Sequence, residues 1–221
     1  MQMADKKGII FDMDGTVWDS SENVAASWTV KVHEAGYTDK TVTREDIQSV
    51  MGKPMDEIAD ILFTYTKKGK ERNELRSACE NYENEYLREH GGILYPKVFE
   101  TWQKLKDMGY HIYIVSNCQA GYVEAFLEYY KISYGHETDL VEDIECYGNN
   151  FLLKHENIKL VVERNNLTAA CYVGDIQSDY DSTCKAGLPF IHASYGFGTI
   201  DAEVPAIKKF SDLTKVISKV I

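Results

Sequence analysis

Ile9-Ile10-Phe11-Asp12-Met13-Asp14-Gly15-Thr16 reads as a buried strand that runs directly into two carboxylates. Ile9 to Phe11 are β-branched and aromatic without a polar interruption, the pattern of a strand covered on both faces in a parallel sheet. Asp12 falls at the strand's carboxyl end, which in open parallel sheets is the accessible crevice because crossover helices occupy both faces. Where the extended conformation persists through the triplet, the side chains of Asp12 and Asp14 lie on the same side. Two such carboxylates repel unless a proton or a cation neutralises them, and Mg²⁺, which prefers oxygen ligands, is the usual solution. Gly15 permits a turn that a Cβ would obstruct, and Thr16 adds a hydroxyl beside exposed amides, a small anion-binding nest. A polar turn that ends a strand and caps a helix explains the triplet alone equally well, so the rest of the chain must decide.

With 221 residues and 44% hydrophobic content the chain can build one large or two small packed domains. Lys+Arg 24 against Asp+Glu 35 leave a net charge of −11, which disfavours a nucleic-acid partner, since that binding depends on basic residues neutralising phosphates. A small phosphorylated substrate is compatible, because a metal and a few local lysines can reverse the field inside one cleft. Cys79, Cys118, Cys146, Cys171 and Cys184 are scattered and lack a Cys-x-x-Cys pair, pointing to free thiols in a reducing compartment. Met1 to Lys7 are polar, and no apolar run is long enough to span a bilayer. The expectation is a soluble, cytoplasmic protein without a membrane partner, a monomer or weak homodimer.

Helical patterns follow Thr16 for a long way. Asp19 or Ser20 can cap a segment with Val24, Trp28 and Val32 on one stripe, ending at Gly36. Thr43 to Asp46 start a second helix that ends at Gly52, and Pro54 fits a first helical position before Ile58, Ile61 and Leu62. A polar helix from about Glu71 to Glu89 carries Leu75, Cys79, Tyr82, Tyr86 and Leu87, and Gly91-Gly92 forms a flexible end. From Ile93 helices and strands alternate. Val98, Trp102 and Leu105 mark a helix, His111 to Val115 a strand, Tyr122 to Tyr130 a helix, and Ser133 to Asn150 an acidic stretch of undetermined structure. A helix around Ile158 to Glu163, the strand Cys171 to Val173, a helix over Asp179 to Ala186, the strand Phe190 to Ala193 and a last helix capped by Ser211 complete the order. This predicts an α/β fold: a doubly wound, Rossmann-like parallel sheet from residues 1–16 and 91–221, interrupted after its first strand by an all-α cap over residues 17–90.

Phe-Asp-Met-Asp-Gly-Thr-Val resembles the first motif of the haloacid dehalogenase superfamily, most of whose members are Mg²⁺-dependent phosphatases. The resemblance extends to Val115-Ser116-Asn117, similar to the second motif, and to Gly174-Asp175-Ile176-Gln177-Ser178-Asp179, similar to the fourth. It implies that Asp12 is the nucleophile and Asp14 a general acid/base. It places Ser116 with neighbouring amides on a phosphoryl oxygen, Mg²⁺ on Asp12, Asp175 and the backbone carbonyl of Asp14, and Asp179 behind that metal shell or beside an active-site lysine. The lysine of the third motif is Lys154 by position, although His155 stands where the family often has proline, and Lys159, one helical turn on, is its rival. Asn117, Gly15 and Thr16 join the phosphate-binding set. Met51-Gly52-Lys53-Pro54 resembles the cap turn that relatives direct at the leaving group, which makes Lys53 a substrate-binding candidate.

The members most similar in pattern are phosphoglycolate-phosphatase-like, with a helical cap. The implied activity is hydrolysis of a small phosphorylated metabolite, phosphoglycolate-like or a sugar phosphate, through an aspartyl-phosphate on Asp12. A sugar-phosphate mutase of the same fold is the enzymatic alternative. A module that accepts a phosphoryl group on Asp12 without turning over is the non-enzymatic one.

Overall fold

The computed structural model describes residues 5–53 and 55–221; Pro54, expected at a first helical position, lies outside them. Six parallel strands form the main sheet, and the order of strands reverses about the first. β1 (Lys7–Phe11) is followed by the short β2 (Trp18–Asp19) and by four helices, α1 (Ser21–Glu34), α2 (Arg44–Val50), α3 (Met55–Leu62) and α4 (Lys70–His90). After β3 (Ile93–Leu94) the chain alternates: α5 (Val98–Asp107), β4 (Tyr110–Ser116), α6 (Tyr122–Tyr129), β5 (Asp143–Cys146), α7 (Tyr147–Asn150), α8 (Lys154–Arg164), β6 (Ala169–Gly174), α9 (Gln177–Ala186), β7 (Phe190–Ala193), β8 (Ala206–Ile207) and α10 (Leu213–Val216). The sheet runs β5-β4-β1-β6-β7-β8. Its centre is as apolar as its sequence: Ile9, Ile10, Phe11, Ile112, Ile114 and Val173 are fully buried, as expected for strands covered on both faces.

The four-helix insertion leaves and re-enters the sheet through one narrow connection. β2 and β3 pair antiparallel, Trp18 opposite Leu94 and Asp19 opposite Ile93. Each has only two residues, too few for any periodicity to announce. The glycine pair expected to be flexible is pinned here: Asn23 Nδ2 donates to the Gly91 carbonyl at 2.9 Å and Tyr130 Oη to that of Gly92 at 2.8 Å. A Cβ on Gly92 would lie 2.8 Å from Trp18 Cε3. Within the insertion Thr43 and Asp46 form a capping box at the start of α2, and Ser20 precedes α1.

Three further expectations are corrected. Ser133 to Asn150 contains the edge strand β5, whose Asp-Ile-Glu-Cys sequence alternates too weakly to be read; Arg164 compensates its acidity, 2.6 Å from Glu145 and 2.8 Å from Asp143. α8 begins at Lys154 rather than near Ile158, because Glu156 accepts the Leu153 amide at 2.9 Å and fixes the first turn. Ser211 lies inside a 3₁₀ turn, Phe210–Asp212, and Asp212 is the residue that precedes α10.

Candidate active site

Strand register brings the site together. Phe11 is level with Ile114 of β4 and Val173 of β6, and the Asp12 amide extends the ladder one step by donating to the Val173 carbonyl at 2.9 Å. Asp12 therefore emerges between the tips of its two neighbours, beside Ser116 and Gly174-Asp175. Lys154, the first residue of α8, donates from Nζ to Asp12 Oδ1 at 2.8 Å and to Asp179 Oδ1 at 2.6 Å. Of the two rival lysines, this one reaches the strand tips with only 3% of its surface exposed, whereas Lys159 is exposed elsewhere on α8. Burial alone would lower the Lys154 pKa, but Asp12 and Asp179 outweigh it and hold the ammonium charged. Burial, then the charge of Asp179, pushes Asp12 up to about 7 against the pull of Lys154.

Asp175, fully buried, sits in a fitted cradle. Its Oδ1 accepts the Thr16 hydroxyl at 3.1 Å and its Oδ2 the Phe197 amide at 2.7 Å. Two glycines make room for it: a Cβ on Gly15 would fall 2.1 Å from Asp175 Oδ2, and one on Gly196 would fall 2.3 Å from Asp175 Cβ. Tyr195-Gly196-Phe197-Gly198 thus wraps this carboxylate, with Tyr195 Oη donating to the Thr16 carbonyl at 2.7 Å. Asp179 turns its Oδ2 back to the amides of Asp175 and Ile176, at 3.1 and 3.3 Å. The expected anion nest is spent internally, since the Gly15 amide donates to Trp18 O at 2.9 Å and the Thr16 amide to Met13 O at 3.2 Å. Gly15 and Thr16 consequently shape the Asp175 cradle.

Asp14 faces another way. β1 ends at Phe11, so the extended conformation does not carry through the triplet. Asp14 Oδ1 accepts from Ser20 Oγ and Tyr122 Oη, each at 2.7 Å, and those two hydroxyls are themselves 2.7 Å apart. Burial pushes Asp14 up to about 6, although both hydroxyl bonds oppose the shift. Oxygens of Asp12, Asp175 and Asp179 all lie within 4.8 Å of one another, and the Asp14 carboxylate is not one of this group. For Asp14 the family resemblance implies the backbone carbonyl as the donor to a cation, not the carboxylate. Of these three buried carboxylates Lys154 bonds two, Asp12 and Asp179, and leaves Asp175 to the neutral donors Thr16 and Phe197. Burial, with Asp179 and Asp12 close by, raises Asp175 well above the usual carboxylate range. An all-oxygen, net-negative pocket of this kind fits a hard divalent cation.

Ser116, the last residue of β4, lines the same cleft as Asp12 and Asp14. Asn117 does not reach for a phosphate here; its Nδ2 donates to the Gly52 carbonyl at 2.9 Å and ties the insertion's turn to the sheet. Lys53 lines the cleft mouth with 44% of its side chain exposed, 3.9 Å from Glu57. Beyond the carboxylates the wall is apolar and comes from three helices: Val24 and Trp28 of α1, Ile47 and Val50 of α2, Met55 and Ile58 of α3. The fourth helix contributes Glu83.

Sequence reasoning missed Ser20 and Tyr122 as partners of Asp14, Tyr172, whose hydroxyl lies 3.3 Å from Asp12 Oδ1, and Glu83. The first three read as a helix cap, a helix start and a strand residue, and nothing local sets them apart. Glu83 did carry a signal. Leu75, Cys79, Glu83 and Leu87 recur every four residues and are all buried, whereas Tyr82 and Tyr86, named with them as residues of this helix, are half-buried beside the stripe. A charged residue in an apolar register is the informative exception.

The sequence pattern of the haloacid dehalogenase-like hydrolases matches residues 9–193. The chain belongs to this family. It is 26% identical over 203 residues to a phosphoglycolate phosphatase of Aliivibrio fischeri, covering 87% of this chain and 86% of that protein. With a phosphoglycolate phosphatase of Rhodobacter capsulatus it shares 26% identity over 212 residues, 93% of each chain. In three dimensions this hydrolase resembles CbbY of Rhodobacter sphaeroides, solved with xylulose-(1,5)bisphosphate, at a TM-score of 0.73 and 18% identity over 93% of this chain and 95% of that one. Among the described residues no helix is long and apolar enough to cross a membrane.

Proposed function

We propose that this hydrolase is a phosphatase that cleaves a small phosphorylated metabolite through an aspartyl-phosphate on Asp12, with residues 17–90 closing over the strand tips as a cap. The observation that carries the reading is the pairing of two differently poised carboxylates across one cleft. Asp12 is held by Lys154 and aimed from the end of β1, and Asp14 is hydrogen-bonded to Ser20 and Tyr122 with its pKa pushed up to about 6. A carboxyl group titrating there can be protonated when the leaving alkoxide needs a proton and ionised when water must be deprotonated. Asp12 attacks phosphorus, the ester oxygen departs with the proton from Asp14, and Asp14 then takes a proton from the water that releases phosphate. Lys154 and Ser116 steady the phosphoryl oxygens. Mg²⁺ would be held by Asp12, Asp175 and the Asp14 carbonyl, with Asp179 behind them, and would supply charge neutralisation between an anionic nucleophile and an anionic substrate. Lys53 would meet the substrate at the cleft mouth.

The decisive test is Asp12→Asn assayed with p-nitrophenyl phosphate in Mg²⁺. Turnover should fall at least ~10³-fold, on the scale of a lost nucleophile, while the thermal transition persists. A variant that releases phosphate at the parent rate removes the nucleophile assignment.

A further inference from the structure

Glu83 of α4 is a buried carboxyl group among the apolar side chains that line the cleft. Only 3% of its surface is exposed, yet it lines the same cavity as Asp12, Asp14 and Ser116. Its Oε1 accepts from Gln119 Nε2 at 3.0 Å, and its Oε2 accepts from Trp28 Nε1. Both neutral donors hold the group as an acceptor, and among the described residues no cation is bonded to it. Lys53, the one cation among the described residues lining the cleft, is half-exposed at the mouth and pairs with Glu57.

Resting on the phosphatase reading above, we propose that Glu83 is the specificity-determining residue, selecting phosphomonoesters whose alcohol ends in a hydrogen-bond donor, a hydroxyl or an ammonium, and rejecting those that end in a carboxylate. The phosphoryl group is fixed at Asp12, so the alcohol must extend into the box formed by α1, α2 and α3. Its stem meets Val24, Ile47 and Ile58, and its head meets Glu83, the carboxyl group that α4 adds to that lining. A donor head finds carboxyl lone pairs. A carboxylate head finds a second acid in a space of low dielectric, with Asp14 also near, and the buried ammonium of Lys154 is already bonded to Asp12 and Asp179. Burial already pushes Glu83 up to about 8, so the site tolerates added negative charge poorly. Phosphoglycolate, the substrate named for the relatives at 26% identity, carries such a carboxylate; this cleft therefore differs from what that ester needs.

Three esters of equal length separate the possibilities: ethanolamine phosphate, 2-hydroxyethyl phosphate and phosphoglycolate. Each is titrated calorimetrically in Mg²⁺ at pH 9, above the value of about 8 at which Glu83 gives up its proton, into the Asp12→Asn protein, which cannot consume it. Both donor-headed esters should bind at least ~10-fold more tightly than phosphoglycolate, the discrimination a site built for one hydrogen-bonding group achieves. The ratio of the first two identifies which donor is preferred. Adding Glu83→Gln should collapse that gap to about twofold, the ammonium ester losing most because an amide offers no charge. A purely structural Glu83 would weaken all three alike. Phosphoglycolate binding as well as or better than the others, binding of none of them, or an unchanged ratio in Glu83→Gln overturns the proposal. Should the double variant fail to fold, the ratio measured in Asp12→Asn alone decides the matter. The phosphatase reading is judged separately, by p-nitrophenyl phosphate turnover in the unsubstituted enzyme.

Discussion

Glu83 keeps its proton at pH values where a solvated glutamate has lost it, and that has a consequence for stability that is independent of any substrate. Its pKa rises from 4.5 to about 8, burial being the main cause, with the Gln119 and Trp28 bonds opposing it. Below pH 4.5 both folded and unfolded chains hold the proton and the group contributes no pH dependence. Between 4.5 and about 8 the unfolded chain releases it while the folded chain retains it, so stability falls as pH rises and levels off above 8. At ~1.4 kcal/mol per pH unit of separation, the effect reaches on the order of 1–4 kcal/mol. Glu83→Gln should therefore match the parent in thermal midpoint near pH 4.5 and exceed it progressively toward pH 8. Melting curves of both proteins across that range check this; parallel curves would show that the carboxyl ionises as freely folded as unfolded. Asp12, Asp14, Asp175 and Lys154 were legible from sequence because each sits at a strand tip or at a motif spacing. Tyr122 and Ser20 were not, since their role exists only where α6 and the start of α1 meet over Asp14.

Elements show the same division between local and long-range information. β1, β4, β6 and β7 were readable because a strand buried on both faces spells itself in consecutive apolar residues. β5 was not, because its acidic residues are answered by Arg164 from another element, and β2, β3 and β8 are too short to carry a pattern. The turn between α2 and α3 is held by a contact that no sequence pattern announces, Asn117 Nδ2 on the Gly52 carbonyl at 2.9 Å. Gly52 has φ +79 and packs so closely on Ile176 that a Cβ would fall 2.3 Å from its Cδ1. This turn is where the insertion touches the strand tips. Asn117→Ala removes one donor and should loosen it, a change of about 1 kcal/mol for a single hydrogen bond. The expected result is a several-fold higher KM for small esters and faster proteolytic cutting around Met51 to Lys53 in the substrate-free protein. Unaltered cleavage together with an unaltered KM would mean that the turn is secured by its packing on Ile176 instead.

At the scale of the whole molecule the acidic cluster joins segments that are distant in the chain: the end of β1, the start of α8, the β6–α9 turn and the first turn of α9 supply Asp12, Lys154, Asp175 and Asp179. Three buried carboxylates, two of them paired with Lys154, oppose the packing of those segments, because burial and then the charge of Asp179 raise both Asp12 and Asp175. A divalent cation that binds the folded cluster and not the unfolded chain reverses this. By mass action it stabilises the fold by ~2.7 kcal/mol at a hundredfold excess over its Kd, about 5 °C or more for a chain of this size. Binding requires ionised carboxylates, and Asp12 titrates at about 7, so protons compete with the cation on the acid side of that value. Thermal midpoints in MgCl₂ should therefore exceed those in chelator at matched ionic strength, with a larger gap at pH 8 than at pH 6. The same chelator should abolish p-nitrophenyl phosphate turnover and excess Mg²⁺ should restore it. Equal midpoints in Mg²⁺ and chelator at pH 8, with turnover undiminished, would leave Lys154 as the sole counter-charge of the cluster and remove the cation from the mechanism.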